Sequence, residues 1–359
     1  MKNIAIISTV GLKYDGITSI ILSYLESMNR DGMNFYVISS WDSDSRIEQQ
    51  FIDLGCKVIK VPSRKKNPIK YMYYLTKIIR NNEIDIIHVH GNSATMCIEL
   101  MAGVLGGSNK RIVHSHNTKC EWVKADKLLR PIFYRLYTDA LACGVEAGKW
   151  LYKDREFIIL NNGRDVKKYC FSMRQREECR KKLKINEELV IGHVGGFFEQ
   201  KNHEFIVKVF KEILKKNTYS KLLLIGDGPL KKQVETSVND IADRVIFVPK
   251  SNEIPKYLNS MDAIIFPSLY EGFPLVTIES QMNGLPCLVS DTVTKDCKLT
   301  DLLCFLSLDV NEKLWANKLL DMISKSKRIE DSAIACKLIK KSGFDINDNS
   351  DILRNIYLS

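Results

Sequence analysis

Residues 190–228 read VIGHVGGFFEQKNHEFIVKVFKEILKKNTYSKLLLIGDG, and this stretch decides the fold. Val190 to Val194 is a short apolar run closed by two glycines. From Glu204 to Leu214 the apolar residues recur at the spacing of one helical face, and Ser220 to Ile225 is a second apolar run closed by glycine. Strand, helix, strand in that order is a βαβ unit. The runs are apolar at consecutive rather than alternate positions, as strands are when a parallel sheet is covered by helices on both faces.

The same rhythm extends in both directions. Toward the C terminus it predicts strands at Val245 to Phe247, Ala263 to Phe266 and Pro286 to Val289, with helices near Leu230 to Asn239, Glu253 to Asn259 and Leu275 to Asn283. Toward the N terminus it predicts strands at Asn3 to Ser8, Asn34 to Ser39, Lys57 to Val61, Ile86 to His90, Arg111 to Ser115, Ala140 to Cys143 and Phe157 to Leu160. Between these two series lie the loop Asn161 to Gly163 and a basic segment, 164–184, read as a linker. The chain has 359 residues, more than the roughly 250 to 300 at which single cores stop growing, so two domains are expected. From Glu312 onward only helix is predicted. Open α/β sheets bind ligands at the C-terminal ends of their strands, which places the expected site in a cleft between the domains.

Composition removes several classes of function. With 45% apolar and 27% charged residues the chain is neither disordered nor fibrous. No stretch approaches the roughly 18 consecutive apolar residues of a membrane span. Met1 to Val10 has one lysine and no small-residue cleavage site, so it reads as a first buried strand rather than a secretory signal. None of the ten cysteines forms a C-x-x-C pair, which leaves no zinc or redox motif and points to core thiols of a reducing cytoplasm.

The net charge of +10 is concentrated in two places. Lys60 to Arg80 holds seven basic residues and no acidic one; Arg164 to Lys184 holds nine against three. An anionic partner for one surface is the expectation. A helix starting near Pro68 would interleave Tyr71, Met72, Tyr73, Tyr74, Ile78 and Ile79 with cations, the pattern of a peripheral membrane segment. No nucleic-acid motif accompanies it, so an anionic membrane surface is favoured over nucleic acid, with an ordinary amphipathic helix as the competing reading.

The sharpest chemistry follows the strand Ala263 to Phe266: Pro267, Ser268, Leu269, Tyr270, Glu271, Gly272, Phe273, Pro274, Leu275, and on to Glu279. Pro274 suits the first turn of a helix, which puts Glu271 on the preceding loop and Glu279 in the second turn. Carboxylates there can accept hydrogen bonds from vicinal sugar hydroxyls, beside a helix end that favours anions. Taken singly, each acid could equally complement the helix dipole or face solvent. Gly226 and Gly228, between a strand and a helix, fit either a phosphate approach or a tight turn. His88, His90, His114, His116 and His193 all fall near strand ends, and a zinc site among them ranks below a sugar site. Asp42, Ser43 and Asp44 spell D-x-D but sit among turn residues, so they are read as a helix cap or turn rather than a metal site.

These motifs together resemble the GT-B retaining glycosyltransferases of family 4, particularly those of bacterial capsule and exopolysaccharide synthesis. The resemblance rests on Glu271 and Glu279 around Gly272, Phe273 and Pro274, and on Gly284, Pro286 and Ser290 downstream. Upstream it takes in Gly226 to Pro229, Gly195 with Glu199 to Asn202, Asn162 with Gly163, and His114 to Asn117. It implies two Rossmann-like doubly wound domains facing a central cleft: an acceptor domain over 1–163 and a nucleotide-sugar domain over 185–340. A terminal helix in 341–359 would pack back on the first. The implied activity is transfer of a hexose, from an expected UDP-sugar, to a saccharide or lipid-linked acceptor at the inner face of the membrane. No cofactor and no metal is implied.

By the same resemblance Glu271 holds the donor sugar's hydroxyls, Glu279 the ribose, and Lys201 the diphosphate, while His116 lies near the reacting sugar and His90 beside it. Gly16, Gly195, Gly196, Gly226, Gly228, Phe273, Pro274 and Leu275 would line the donor. Two departures stand out: Asp15 replaces one of a usual glycine pair before Gly16, and Gly196 stands where an arginine is common. Arg164 is the candidate to replace that cation, against a solvent-facing linker arginine as the plain alternative. A nucleotide-sugar 2-epimerase and a non-catalytic partner subunit are the rival readings.

Overall fold

The computed structural model describes all residues of the chain except Tyr14, Asp42 and Gly272. It divides into two units, residues 1–164 with 343–359, and residues 165–342.

The first unit is built on seven parallel strands: β1 (Lys2–Ser8), β2 (Met33–Ser40), β3 (Lys57–Val61), β4 (Ile86–Gly91), β5 (Lys110–Ser115), β6 (Asp139–Ala142) and β7 (Ile158–Ile159). Their order is β3-β2-β1-β4-β5-β6-β7. Ile4, Ala5, Ile6 and Ile7 are buried in succession because helices cover both faces. The chain leaves β1 toward one edge and returns at β4 toward the other, so connections part at the C-terminal ends of these two strands. There the backbones run close: a Cβ on Gly91 would lie 2.6 Å from Thr9 Oγ1.

Residues 343–359 belong to this unit. Asp345 caps the helix Ile346–Leu358, which buries Ile346, Leu353 and Tyr357. Arg164 joins the segment as an extra bridge, its NH donating to Phe344 O at 2.9 Å and its carbonyl accepting from Ile346 NH at 3.1 Å.

The second unit carries six parallel strands, β8 (Leu189–Val194), β9 (Ser220–Ile225), β10 (Val245–Val248), β11 (Ala263–Phe266), β12 (Cys287–Ser290) and β13 (Leu303–Leu306). The order β10-β9-β8-β11-β12-β13 puts the switch between β8 and β11. β13 was not predicted from the sequence: Leu302 to Leu306 is an edge run of leucine, cysteine and phenylalanine with no β-branched residue.

The segment 164–184 is not a linker. It folds as the helices Val166–Tyr169 and Met173–Lys182 and, from Asp165 on, is part of the second unit. Two of its arginines turn inward. Arg176 donates to Asp262 Oδ1 at 2.6 Å, and Arg180, buried, donates to the carbonyls of Asn186, Glu188 and Ser260. A guanidinium has five donors in a fixed fork, which lets one side chain satisfy several loop carbonyls. Counted as surface charge in the sequence, these cations are structural.

Candidate functional site

At the switch of the second sheet the loops after β8 and β11 are clasped together. Gln200, within the single turn Glu199–Lys201, accepts from Leu269 NH at 2.8 Å and donates its side-chain amide to Tyr270 O at 2.7 Å. Asn202 takes the left-handed conformation (φ 55°) and donates to Pro267 O. Between these contacts Lys201 Nζ meets Glu271 Oε1 at 2.5 Å, with side-chain exposures of only 18% and 12%. The ammonium also lies 4.8 Å from the centre of the Phe266 ring, a contact that favours a cation. Each charge is thus neutralised by the other in a poorly hydrated place.

Glycines make this geometry possible. A Cβ on Gly195 would come within 2.8 Å of His193 Nε2 and 3.2 Å of the Lys201 stem. On Gly226 (φ 150°) it would strike Gly195 O at 2.1 Å, and on Gly228 the Phe197 backbone at 2.6 Å. Gly226 and Gly228 therefore have a sufficient structural reason, the contact of the β9 loop with the β8 loop. At Gly196 the exposed Phe198 ring stands 2.7 Å from a would-be Cβ, so a larger residue there would need that ring to turn aside.

Pro274 is the residue before the helix Leu275–Met282 rather than inside its first turn, and its carbonyl accepts from Thr277 NH and Oγ1. Glu279 lies in the second turn and is buried, Phe273 and Leu275 are half-buried, and Gly272 lies outside the described residues.

His193 and His203 flank the lysine. His193 Nδ1–H donates to Ile265 O at 2.9 Å, which fixes the tautomer and leaves Nε2 as an acceptor. Burial holds its pKa well below the ordinary value, with His203 and Lys201 adding to the effect. His203 stacks on Phe197 at 4.2 Å and is pushed down to about 4 by burial and by Lys201. The sequence reading passed over His203; its signal was its place two residues after Lys201, at the start of the helix His203–Leu214.

In the first unit, His90 and His116 are brought together at the ends of β4 and β5, with His90 Nδ1 and His116 Nε2 2.9 Å apart. Both are held neutral: burial pushes His116 down to about 3, and burial followed by the charges of His88 and His116 depresses His90. Gly16 opens the helix Gly16–Ser27, but Asp15 already accepts from Thr18 NH at that end. It therefore sits at a capped helix rather than an open anion cradle. Asp44 accepts from Arg46 NH and caps the helix Ser45–Asp53, while Asp42 lies outside the described residues.

The model of the family described as glycosyl transferases group 1 matches residues 175–300, and that of the glycosyl transferase 4-like family matches residues 16–142. The chain belongs to the group 1 glycosyltransferases. EpsF of Bacillus subtilis strain 168, named as a glycosyltransferase, is 28% identical over 365 residues, covering 97% of this chain and 94% of that one. The UDP-Gal:alpha-D-GlcNAc-diphosphoundecaprenol alpha-1,3-galactosyltransferase of Escherichia coli is 26% identical over 345 residues, covering 88% and 84%. HepE of Anabaena, solved with UDP, superposes with a TM-score of 0.78 at 15% identity over 99% of both chains. The two doubly wound sheets of this glycosyltransferase are those of the GT-B fold.

Proposed function

We propose that this glycosyltransferase moves a hexosyl unit, with retention of configuration, from a UDP-sugar to a saccharide or lipid-linked saccharide in bacterial surface-polysaccharide synthesis. The observation that carries the reading is the Lys201–Glu271 pair at the switch of the second sheet. An arriving donor offers that pair what each member lacks in water-poor surroundings: a diphosphate for the ammonium, and sugar hydroxyls for the carboxylate. The bond from the anomeric carbon to the diphosphate oxygen breaks, and the acceptor oxygen bonds to that carbon on the same face. The acceptor's proton passes to the departing diphosphate. Lys201 then offsets charge growing on the leaving group. The relatives' names support a polysaccharide setting, and the UDP held by HepE supports the nucleotide. Thermal unfolding with a panel of nucleotide sugars, followed by transfer to membrane lipid extract, tests this. Stabilisation by a UDP-sugar is expected; stabilisation only by another nucleotide would overturn the UDP assignment.

Transfer should need no added divalent metal, since Lys201 and the backbone dipoles of the helix Leu275–Met282 supply the positive potential. Undiminished turnover in excess EDTA is the expected result. Activity lost in EDTA and restored by manganese would bring Asp42 and Asp44 back into consideration.

We further infer, from the arginine missing at Gly196, that the Arg164 guanidinium contributes to donor binding. Its main chain is anchored on both sides by Phe344 and Ile346, which makes it a fixed post rather than a loose loop residue. Arg164→Ala should then cost roughly 1.5 to 3 kcal/mol of donor or transition-state binding. An unchanged kcat/KM for the donor removes Arg164 from the site. Gly196→Arg should restore part of the loss, and more fully where Phe198 is also made small, because the exposed ring must turn aside to admit the new side chain.

Docking to an anionic membrane surface is proposed for the helix Pro68–Asn81. Tyr71, Leu75 and Ile79 face the core, while Ile69, Tyr73 and Tyr74 are exposed beside Lys66, Lys70 and Lys77. No helix of the described residues is long and apolar enough to cross a bilayer. Replacing Lys66, Lys70 and Lys77 together by Gln should weaken binding to phosphatidylserine vesicles by roughly 1 kcal/mol per cation. Unchanged sedimentation with vesicles would refute the membrane face. Arg64 does not belong in that set, because it pairs inward.

A further inference from the structure

Four histidines stack on one face of the first sheet. His88 and His90 are two apart on β4, and His114 and His116 are two apart at the end of β5, with His90 and His114 in register across the strands. Neighbouring ring centres are 4.1 to 5.5 Å apart. His88, His90 and His114 are almost fully buried. Among the described residues His88 Nε2, His116 Nδ1 and both nitrogens of His114 make no well-formed hydrogen bond, although the Leu160 backbone lies close enough to His114 to oppose the effect of burial on its pKa. Buried polar atoms left without partners are rare in folded proteins and call for an explanation.

We propose that His88, His90 and His114 form a binding site for a late first-row divalent metal ion, with zinc as the ion it fits. One ring nitrogen from each lies within 4.8 Å of the others. Tetrahedral zinc, with bonds of about 2.0 to 2.1 Å, needs ligand atoms about 3.3 to 3.4 Å apart, so the rings would have to draw together when the ion binds. Three neutral imidazoles without a carboxylate or thiol select zinc, nickel or copper over magnesium or manganese. Outer partners are also in place. His88 Nδ1 is 2.6 Å from Tyr357 OH, on the C-terminal helix, and His90 Nδ1 is 2.9 Å from His116 Nε2. If each ligand donates its Nδ1–H to that partner, its Nε2 lone pair is fixed toward the ion, as metal-bound histidines usually are. His114 brings a nitrogen with no well-formed hydrogen bond among the described residues. The ion would tie the strand ends, the His90–His116 pair and the C-terminal helix into one body. No residue of the second unit takes part, but His90 and His116 also belong to the candidate sugar-side site, so the ion is tested by binding itself rather than through transfer.

The test uses the full-length chain without a histidine tag, stripped of metal by a chelator that is then removed. Titration with Co²⁺ should give visible absorption bands of a tetrahedral ion at one equivalent, displaced by Zn²⁺ and untouched by Mg²⁺ or Mn²⁺. Isothermal titration with Zn²⁺ should give one site with a micromolar or tighter Kd. His114→Ala and His88→Ala should each weaken binding at least a hundredfold. Tyr357→Phe, which keeps the ring and removes only the outer partner, should weaken it about tenfold or more. His203→Gln, in the other unit, should leave it unchanged. Folding of each variant is checked by circular dichroism; if the alanine variants do not fold, Tyr357→Phe and the wild-type cobalt spectrum decide. A folded wild-type chain with no stoichiometric Co²⁺ or Zn²⁺ binding overturns the proposal, as does zinc affinity that survives His114→Ala or Tyr357→Phe.

Discussion

Lys201→Ala is expected to lower turnover about a hundredfold, because it removes the cation that faces the leaving diphosphate in a desolvated place. The pairing with Glu271 adds a second consequence. Without the lysine, Glu271 would be an unpaired, nearly buried carboxylate beside the position of an anionic ligand, so donor KM should rise as well. Glu271→Gln should reduce turnover by a similar factor, since its charge-assisted hydrogen bonds to the sugar become neutral ones. Glu279→Gln, in the second turn of the helix that follows, should chiefly raise donor KM. The double variant Lys201→Ala with Glu271→Gln separates function from folding. If the pair served only the fold, removing both charges would restore the melting temperature and activity together. The proposed roles instead require that stability recovers while turnover stays low. A Lys201→Ala enzyme with normal turnover would take the lysine out of the mechanism.

Much of this arrangement was legible in the chain itself, for a physical reason. Buried parallel strands such as Ile4 to Ile7 and Leu222 to Ile225 must be apolar at every position, so they announce themselves without alignment. Loops at a switch point need glycine where backbones touch, and Gly195, Gly226 and Gly228 did mark the place. What could not be read was which charges face each other. Lys201 and Glu271 are seventy residues apart, and the clasp of Gln200 and Asn202 on the Pro267–Tyr270 loop, two side-chain amides and one backbone bond, brings them into contact. Charge runs misled for the same reason. A window of sequence counts Arg176 and Arg180 as surface cations, whereas their long stems let the guanidinium turn back into a carbonyl-lined interior. Likewise, the unpartnered nitrogens of His114 depend on two strands lying side by side in a register that periodicity alone does not fix.

Arg64 is the clearest instance, and it carries the largest expected effect on stability. Placed by the sequence in a basic run suited to a membrane face, it donates instead to Glu99 Oε1 at 2.6 Å and to Thr95 O at 2.7 Å. The Glu99 side chain is completely inaccessible to water and that of Arg64 is 18% exposed. The environment is apolar enough that burial, followed by the Glu99 charge, raises the pKa of the neighbouring Tyr71 phenol. Desolvating such a pair costs nearly as much as its attraction returns, so the intact bridge adds little by itself. Breaking it from one side is a different matter. Arg64→Ala strands an uncompensated carboxylate inside the first unit, and the expected loss is about 3 to 5 kcal/mol. Glu99→Gln alone leaves a cation that can still reach Thr95 O and some solvent, so its cost should be smaller. In the double variant both charges are gone, and most of the loss should be recovered. Urea denaturation of the three variants reads this directly, and an Arg64→Ala chain as stable as wild type would show that Glu99 does not depend on the arginine. Vesicle binding measured on the Glu99→Gln chain should match wild type, since the outward cations Lys66, Lys70 and Lys77 are untouched; a rise there would show that the released Arg64 joins the docking face.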